Sequence, residues 1–157
     1  ITLHASGGAA MMRAAVEANK KAADQSGNTR PLLLGVTVLT SFDRDDLREM
    51  GVEETVAEQV LRLAVLAQEN GLDGVVCSAH EIAILRSVCG GEFKLVVPGI
   101  RPKWAEPDDQ KRFVAPGEAV ARGADYLVIG RPISRAHDPA AAARLISEDI
   151  SEAMGSV

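Results

Sequence analysis

At 157 residues, 46% hydrophobic and 25% charged, the chain is long enough for one domain with a buried core and has the composition of an ordinary globular protein. No apolar run nears the roughly 20 residues that span a bilayer, which argues against a membrane protein. The net charge of −5 argues against a sequence-independent nucleic-acid binder, which normally carries a basic face, but not against an anionic small molecule, which local arginines decide. Cys77 and Cys89 are too few and too far apart for a disulfide scaffold or a closed zinc site. With no basic, apolar leader at Ile1, the expectation is a cytoplasmic protein with reduced thiols.

Ile1–His4 is the first of five short β-type runs, and the chain starts inside it without an initiator Met. Met11–Ala23, rich in Ala and Met, predicts a helix ending at the turn-like Ser26-Gly27-Asn28. A second β run covers Leu32–Thr37. Thr55–Asn70 then carries Val56, Val60, Leu63 and Ala67 at helical spacing, with Gly71 as the stop. The third run, Gly74–Cys77, precedes a short helix over His80–Val88. The fourth, Lys94–Val97, is followed by a helix over Gly117–Arg122 before Gly123. After the fifth, Tyr126–Ile129, a last helix starts near Pro139 and is expected to bury Leu145, Ile146, Ile150 and Met154.

Most of the β runs are continuous Val/Ile/Leu stretches, as expected of parallel strands covered on both faces. Strand–helix alternation implies βαβ units. A nucleotide-type glycine loop after the first strand would favour an open doubly wound sheet. Ser6-Gly7-Gly8 is only weakly like one, and such glycine turns are common for steric reasons. A (β/α)8 barrel takes roughly 250 residues, so five of its units need about 156. The expected fold class is therefore α/β, a (β/α)8 TIM barrel of which residues 1–157, a single domain, supply about the last five units.

In such barrels the ligand sits at the strand C-termini, and the loops after the last two strands often hold phosphate. Here those strands run into Pro98-Gly99-Ile100-Arg101-Pro102 and Gly130-Arg131-Pro132-Ile133. Each delivers a glycine, whose backbone amide an anion can approach, and then an arginine, whose planar fork matches phosphate oxygens. A helix N-terminus after the last strand would add its positive dipole end. The bland alternative is that both arginines are solvated loop charges. Residues 99–116 form the longest connection and contain Trp104; this stretch reads as a lid, with Gln110 able to donate to phosphate and to bond a polar base. Thr37, Thr40 and Ser41 follow the second strand, where hydroxyls suit an amide-rich heterocycle, or else form a turn or cap with Asp43. His4 reads equally as a buried, satisfied histidine or a site residue, while His80 and His137 look like surface positions. No cluster has metal-ligand spacing, so no metal is expected.

These segments carry a family resemblance. His4-Ala-Ser-Gly-Gly, Val36-Thr-Val-Leu-Thr-Ser41, Asp73-Gly-Val-Val-Cys-Ser78, Pro98-Gly-Ile-Arg-Pro102, Asp109-Gln110 and Gly130-Arg-Pro-Ile133 together resemble the bacterial-type orotidine 5'-phosphate decarboxylases, in order and over essentially the whole chain. The resemblance implies removal of CO2 from orotidine 5'-phosphate to give UMP in pyrimidine synthesis. It implies no cofactor, and a homodimer of (β/α)8 barrels. It further implies that Thr40 contacts the pyrimidine, that Arg101, Gly130 and Arg131 lie in the phosphate-side pocket, and that Gln110 bridges phosphate and base. The family's catalytic Asp-x-Lys-x-x-Asp segment has no counterpart here, so no catalytic residue is expected in this sequence and these residues alone are expected to be inactive. Two other readings stand beside it. One is a related magnesium-dependent barrel of the hexulose-phosphate synthase or keto-gulonate-phosphate decarboxylase type; the other is a non-catalytic UMP-binding fragment.

Overall fold

The computed structural model describes residues 1–105 and 114–155. Its core is a five-stranded, wholly parallel sheet: β1 (Thr2–His4), β2 (Leu34–Val36), β3 (Gly74–Val76), β4 (Lys94–Val97) and β5 (Tyr126–Leu127), hydrogen-bonded in chain order. Helices α1 (Gly8–Ser26), α2 (Arg44–Glu49), α3 (Val56–Glu69), α4 (Ile82–Cys89), α5 (Pro116–Ala121), α6 (Arg131–Ser134) and α7 (Pro139–Gly155) fill the connections. A doubly wound sheet reverses its strand order at a switch point. Here each strand pairs with the next without reversal, which is the arc of a barrel.

The helices begin where their caps allow. Asp43 accepts from the amides of Asp45 and Asp46 at 3.0 and 3.2 Å, and Asp46 returns a bond to the Asp43 amide at 2.7 Å. Thr55 and Glu58 make the same reciprocal box at the start of α3. Asp138 accepts from the Ala141 amide, and Pro139 takes the first turn of α7. The six-residue α2 escaped the apolar-spacing rule because it buries only Leu47.

One face of the sheet is packed and the other is open. Val75, Leu95 and Val97 are fully buried against the helices, joined by Val60, Ala64 and Ala67 of α3 and by Ile82 and Leu85 of α4. The alternate residues, among them Leu34, Val36, Val76 and Val96, are only half-buried. Strands covered on both faces were expected. Helices cover only the outer face, because the inner face of a barrel is closed by its other strands. The last helix also departs from expectation. Ile146 is buried, but Leu145 and Met154 are exposed, since α7 packs chiefly on α5 and α6. Beside it an apolar groove of about 470 Å3 runs along β5, lined by Val120, Leu127, Ile146 and Ile150 among others.

Two carboxylates lock the N-terminal end of the sheet. Asp73, just before β3, accepts from the Leu33 amide at 2.7 Å and from Arg30 at 2.8 and 2.5 Å. Asp125, just before β5, accepts from the Leu95 amide at 2.8 Å, from Arg86, and from Lys94 at 3.5 Å. Arg86 also donates to the carbonyls of Gly123 and Phe93, tying the end of α4 to two strands. Hydrogen bonds to charged groups contribute roughly 1.5–3 kcal/mol each, so these clamps rank with a buried aliphatic side chain in weight.

Candidate functional site

All five strands point their C-terminal ends the same way, so the connections after them share one rim. β4 and β5 are neighbours, with Val96 opposite Tyr126 and Val97 opposite Leu127. The segments holding Arg101 and Arg131 therefore leave adjacent strands at the same end.

The two arginines differ. Arg101 is 5% exposed, its backbone amide bonded to the Val114 carbonyl at 3.0 Å where Ile100 and Val114 pair. A buried guanidinium is not a solvated loop charge, and burial of a charge demands partners; Arg101 has them. Arg131 is half-buried and opens α6. That helix is a single turn, so it contributes only a fraction of a macrodipole, but a short extra helix after the last strand is where barrels of this type hold phosphate.

The preceding glycines also differ. Gly99 has φ +74°, a left-handed conformation that side chains resist. Gly130 has φ −105°, and a Cβ built there would meet nothing within 4 Å. No neighbour within 4 Å requires glycine at 130, and its missing side chain leaves that space open. Gly8, by contrast, has φ +86° at the start of α1, a backbone need.

On the β2 side the two threonines separate. Thr37 is buried and donates its hydroxyl to the Val76 carbonyl at 2.8 Å, a tie between strands. Thr40, half-buried in the loop before α2, makes no side-chain hydrogen bond with the described residues. The cap of α2 is Asp43, which leaves Ser41 out of it. Between these loops, after β3, Ser78 and Glu81 are both buried, with the Ser78 amide donating to the Glu81 carboxylate at 3.0 Å. Sequence reasoning passed over Glu81, although Ser-x-x-Glu before an apolar helix is a readable start signal. Gln110 lies outside the described residues, as do its neighbours in 106–113 of the 99–116 stretch.

Both thiols are buried. Burial pushes the Cys77 thiol up to about 12, with the Glu81 charge adding to the effect, so it stays protonated and unreactive. Burial likewise raises Cys89. His80 and His137 are exposed, and so, at the edge strand of the sheet, is His4. Among the described residues no three His, Cys, Asp or Glu side chains stand together as a metal site, and no helix is long and apolar enough to cross a membrane.

Five parallel strands hydrogen-bonded in chain order, with helices in the connections, define a segment of a β/α barrel. Residues 1–146 match the orotidine 5'-phosphate decarboxylase / HUMPS family, and the chain belongs to that family. It is 54% identical over 149 residues to the orotidine 5'-phosphate decarboxylase of Paramagnetospirillum magneticum, covering 95% of this chain and 63% of that protein. The enzyme of the same name from Rhodospirillum rubrum is 55% identical, over 96% of this chain and 61% of the relative. The crystal structure of orotidine 5'-phosphate decarboxylase from Lactobacillus acidophilus superposes with a TM-score of 0.81 at 39% identity, over 95% of this chain and 62% of that one. The chain thus spans about three-fifths of the length of the curated relatives it matches.

Proposed function

We propose that the protein carrying this chain decarboxylates orotidine 5'-phosphate to UMP and CO2, without a cofactor, as a cytoplasmic homodimer that binds no nucleic acid. The observation that carries this reading is the agreement between the family match over residues 1–146 and the rim. Arg101 and Arg131 follow adjacent parallel strands at the end where barrels hold phosphate.

In this reading Arg101, Gly130 and Arg131 bind the phosphate, Thr40 offers its hydroxyl to the pyrimidine, and Gln110, on the resemblance alone, links the two. Loss of CO2 from C6 leaves a carbanion that the ring π-system does not delocalise, so the barrier is high. Binding energy collected at the phosphate, remote from the reacting carbon, can be used to assemble and desolvate the site. The residues of this chain bind and orient; the groups that meet the carboxylate belong to a segment it does not contain.

The test is a spectrophotometric decarboxylation assay on the full-length protein. Turnover of orotidine 5'-phosphate is the expected result, and its absence overturns the reading. In the same assay Arg131→Ala should lower kcat/KM about 100-fold, roughly the 3 kcal/mol lost with a charged hydrogen-bond partner. An unchanged kcat/KM removes Arg131 from the site.

A further inference from the structure

The register of β1 places a further side chain in the mouth. Leu3 lies opposite Gly35, which lies opposite Val75, which lies opposite Leu95. A Cβ at Gly35 would touch Leu72, Ala5 and Ala67, so this row faces the helices. Side chains alternate along a strand. The adjoining row, His4, Val36, Val76, Val96 and Tyr126, therefore faces the inside of the barrel. Three valines make most of that layer apolar. His4 stands at its end, exposed, at the last position of β1, with no hydrogen bond or ion pair from its imidazole to the described residues.

Depth along the barrel says which part of a ligand His4 would meet. Arg101 and Arg131 each follow the member of this row on their own strand by five residues. The anion-binding ends thus lie above the layer and His4 lies within it. A nucleotide held by its phosphate at the rim extends its sugar and base downward toward that layer. An imidazole brings both a donor and an acceptor, which suits hydroxyl and carbonyl groups, beside the methyls of Val36, Val76 and Val96.

We infer that His4 hydrogen-bonds the nucleoside portion of the bound nucleotide and does not touch its phosphate. This rests on the proposed function and adds a contact on a strand to those on the loops. Long-range NMR correlations of the imidazole ring in the full-length protein test it, with UMP, ribose 5-phosphate and inorganic phosphate as probes. UMP should move the His4 ring signals and inorganic phosphate should not; ribose 5-phosphate tells a sugar contact from a base contact. His4→Ala should weaken UMP binding about tenfold with inorganic phosphate affinity unchanged, and His4→Gln, which restores a donor and an acceptor, should recover part of the loss. His4 signals that ignore UMP in a protein that binds it and turns over substrate overturn the inference and leave the function standing. A wild-type protein that neither binds UMP nor turns over substrate overturns both.

Discussion

At the N-terminal ends of β3 and β5, Asp73 and Asp125 direct every described hydrogen bond into the protein, to strand amides and to Arg30, Arg86 and Lys94. At the C-terminal ends Thr40 and Gly130 meet no such neighbours: one hydroxyl without a hydrogen bond among the described residues, one backbone site with open space beside it. The same residue types thus serve two ends. An arginine at the lower end cross-links strands; an arginine at the upper end stands where barrels hold anions. In a parallel barrel, side chains at the lower end act on stability, while ligands are met at the upper end, where the loops surround the mouth.

Substitution can break that comparison, most sharply at Arg86. Arg86→Ala removes the ties to Asp125, Gly123 and Phe93, leaves a carboxylate without its main cation, and should cost about 3 kcal/mol in denaturant unfolding. Nucleotide affinity of the folded fraction should not change. A loss of affinity with stability intact would erase the division between the two ends.

Acid should act on the lower end first. The Arg30 hydrogen bond, helped by the Leu33 amide and the nearby charges of Arg30 and Lys20, holds the Asp73 carboxyl below its ordinary value against the opposing effect of burial. At Asp125 burial is the largest influence and pushes upward, but the Leu95 amide and Arg86 bonds with the Arg86 and Lys94 charges outweigh it. A depressed carboxylate stabilises the fold fully above the unfolded value of about 3.9 and loses that contribution as pH falls through the native value. Stability should therefore drop below about pH 4, and Asp73→Asn should flatten that acid limb while costing about 2 kcal/mol at neutral pH. Urea titrations across pH check both.

A smaller effect is expected at Gly130. The open space at its Cβ means that the methyl of Gly130→Ala meets no neighbour in the fold. If the amide approaches an anion, the added methyl should lower kcat/KM about tenfold, some 1.4 kcal/mol. Equal kcat/KM would show that the glycine is incidental.

The smallest and sharpest pair is Thr37 and Thr40, three residues apart. Thr37→Val loses a buried bond to Val76 and should cost about 1 kcal/mol of stability with UMP affinity intact. Thr40→Val should do the reverse, with stability within about 0.5 kcal/mol and UMP affinity reduced about fivefold. Isothermal titration and thermal melts on the two variants decide whether the division holds at this range.

The alternation of Leu34–Val36, Gly74–Val76 and Lys94–Val97 with apolar-periodic helices was enough, from sequence, to reach a parallel barrel, since short buried strands and helical spacing are local properties. Glycine followed by arginine after the last two strands was equally legible, because it depends only on spacing from the strand ends. Other features needed distance to be known. Gly71-Leu-Asp73 and Gly123-Ala-Asp125 repeat one pattern in the chain, yet that each aspartate grips the strand before its own follows only from 40 and 30 residues of separation being closed in space. Neighbouring Thr37 and Thr40 look alike in sequence; the Val76 carbonyl, on another strand, tells them apart. Leu145 and Met154 fit the apolar stripe of α7 but lie exposed, because a stripe records what a helix can bury and its neighbours decide what it does. His4 turned on the same point. The sequence by itself put it at a strand end; only the register with Val36, and the contacts a side chain at Gly35 would make, decided that it faces the inside of the barrel.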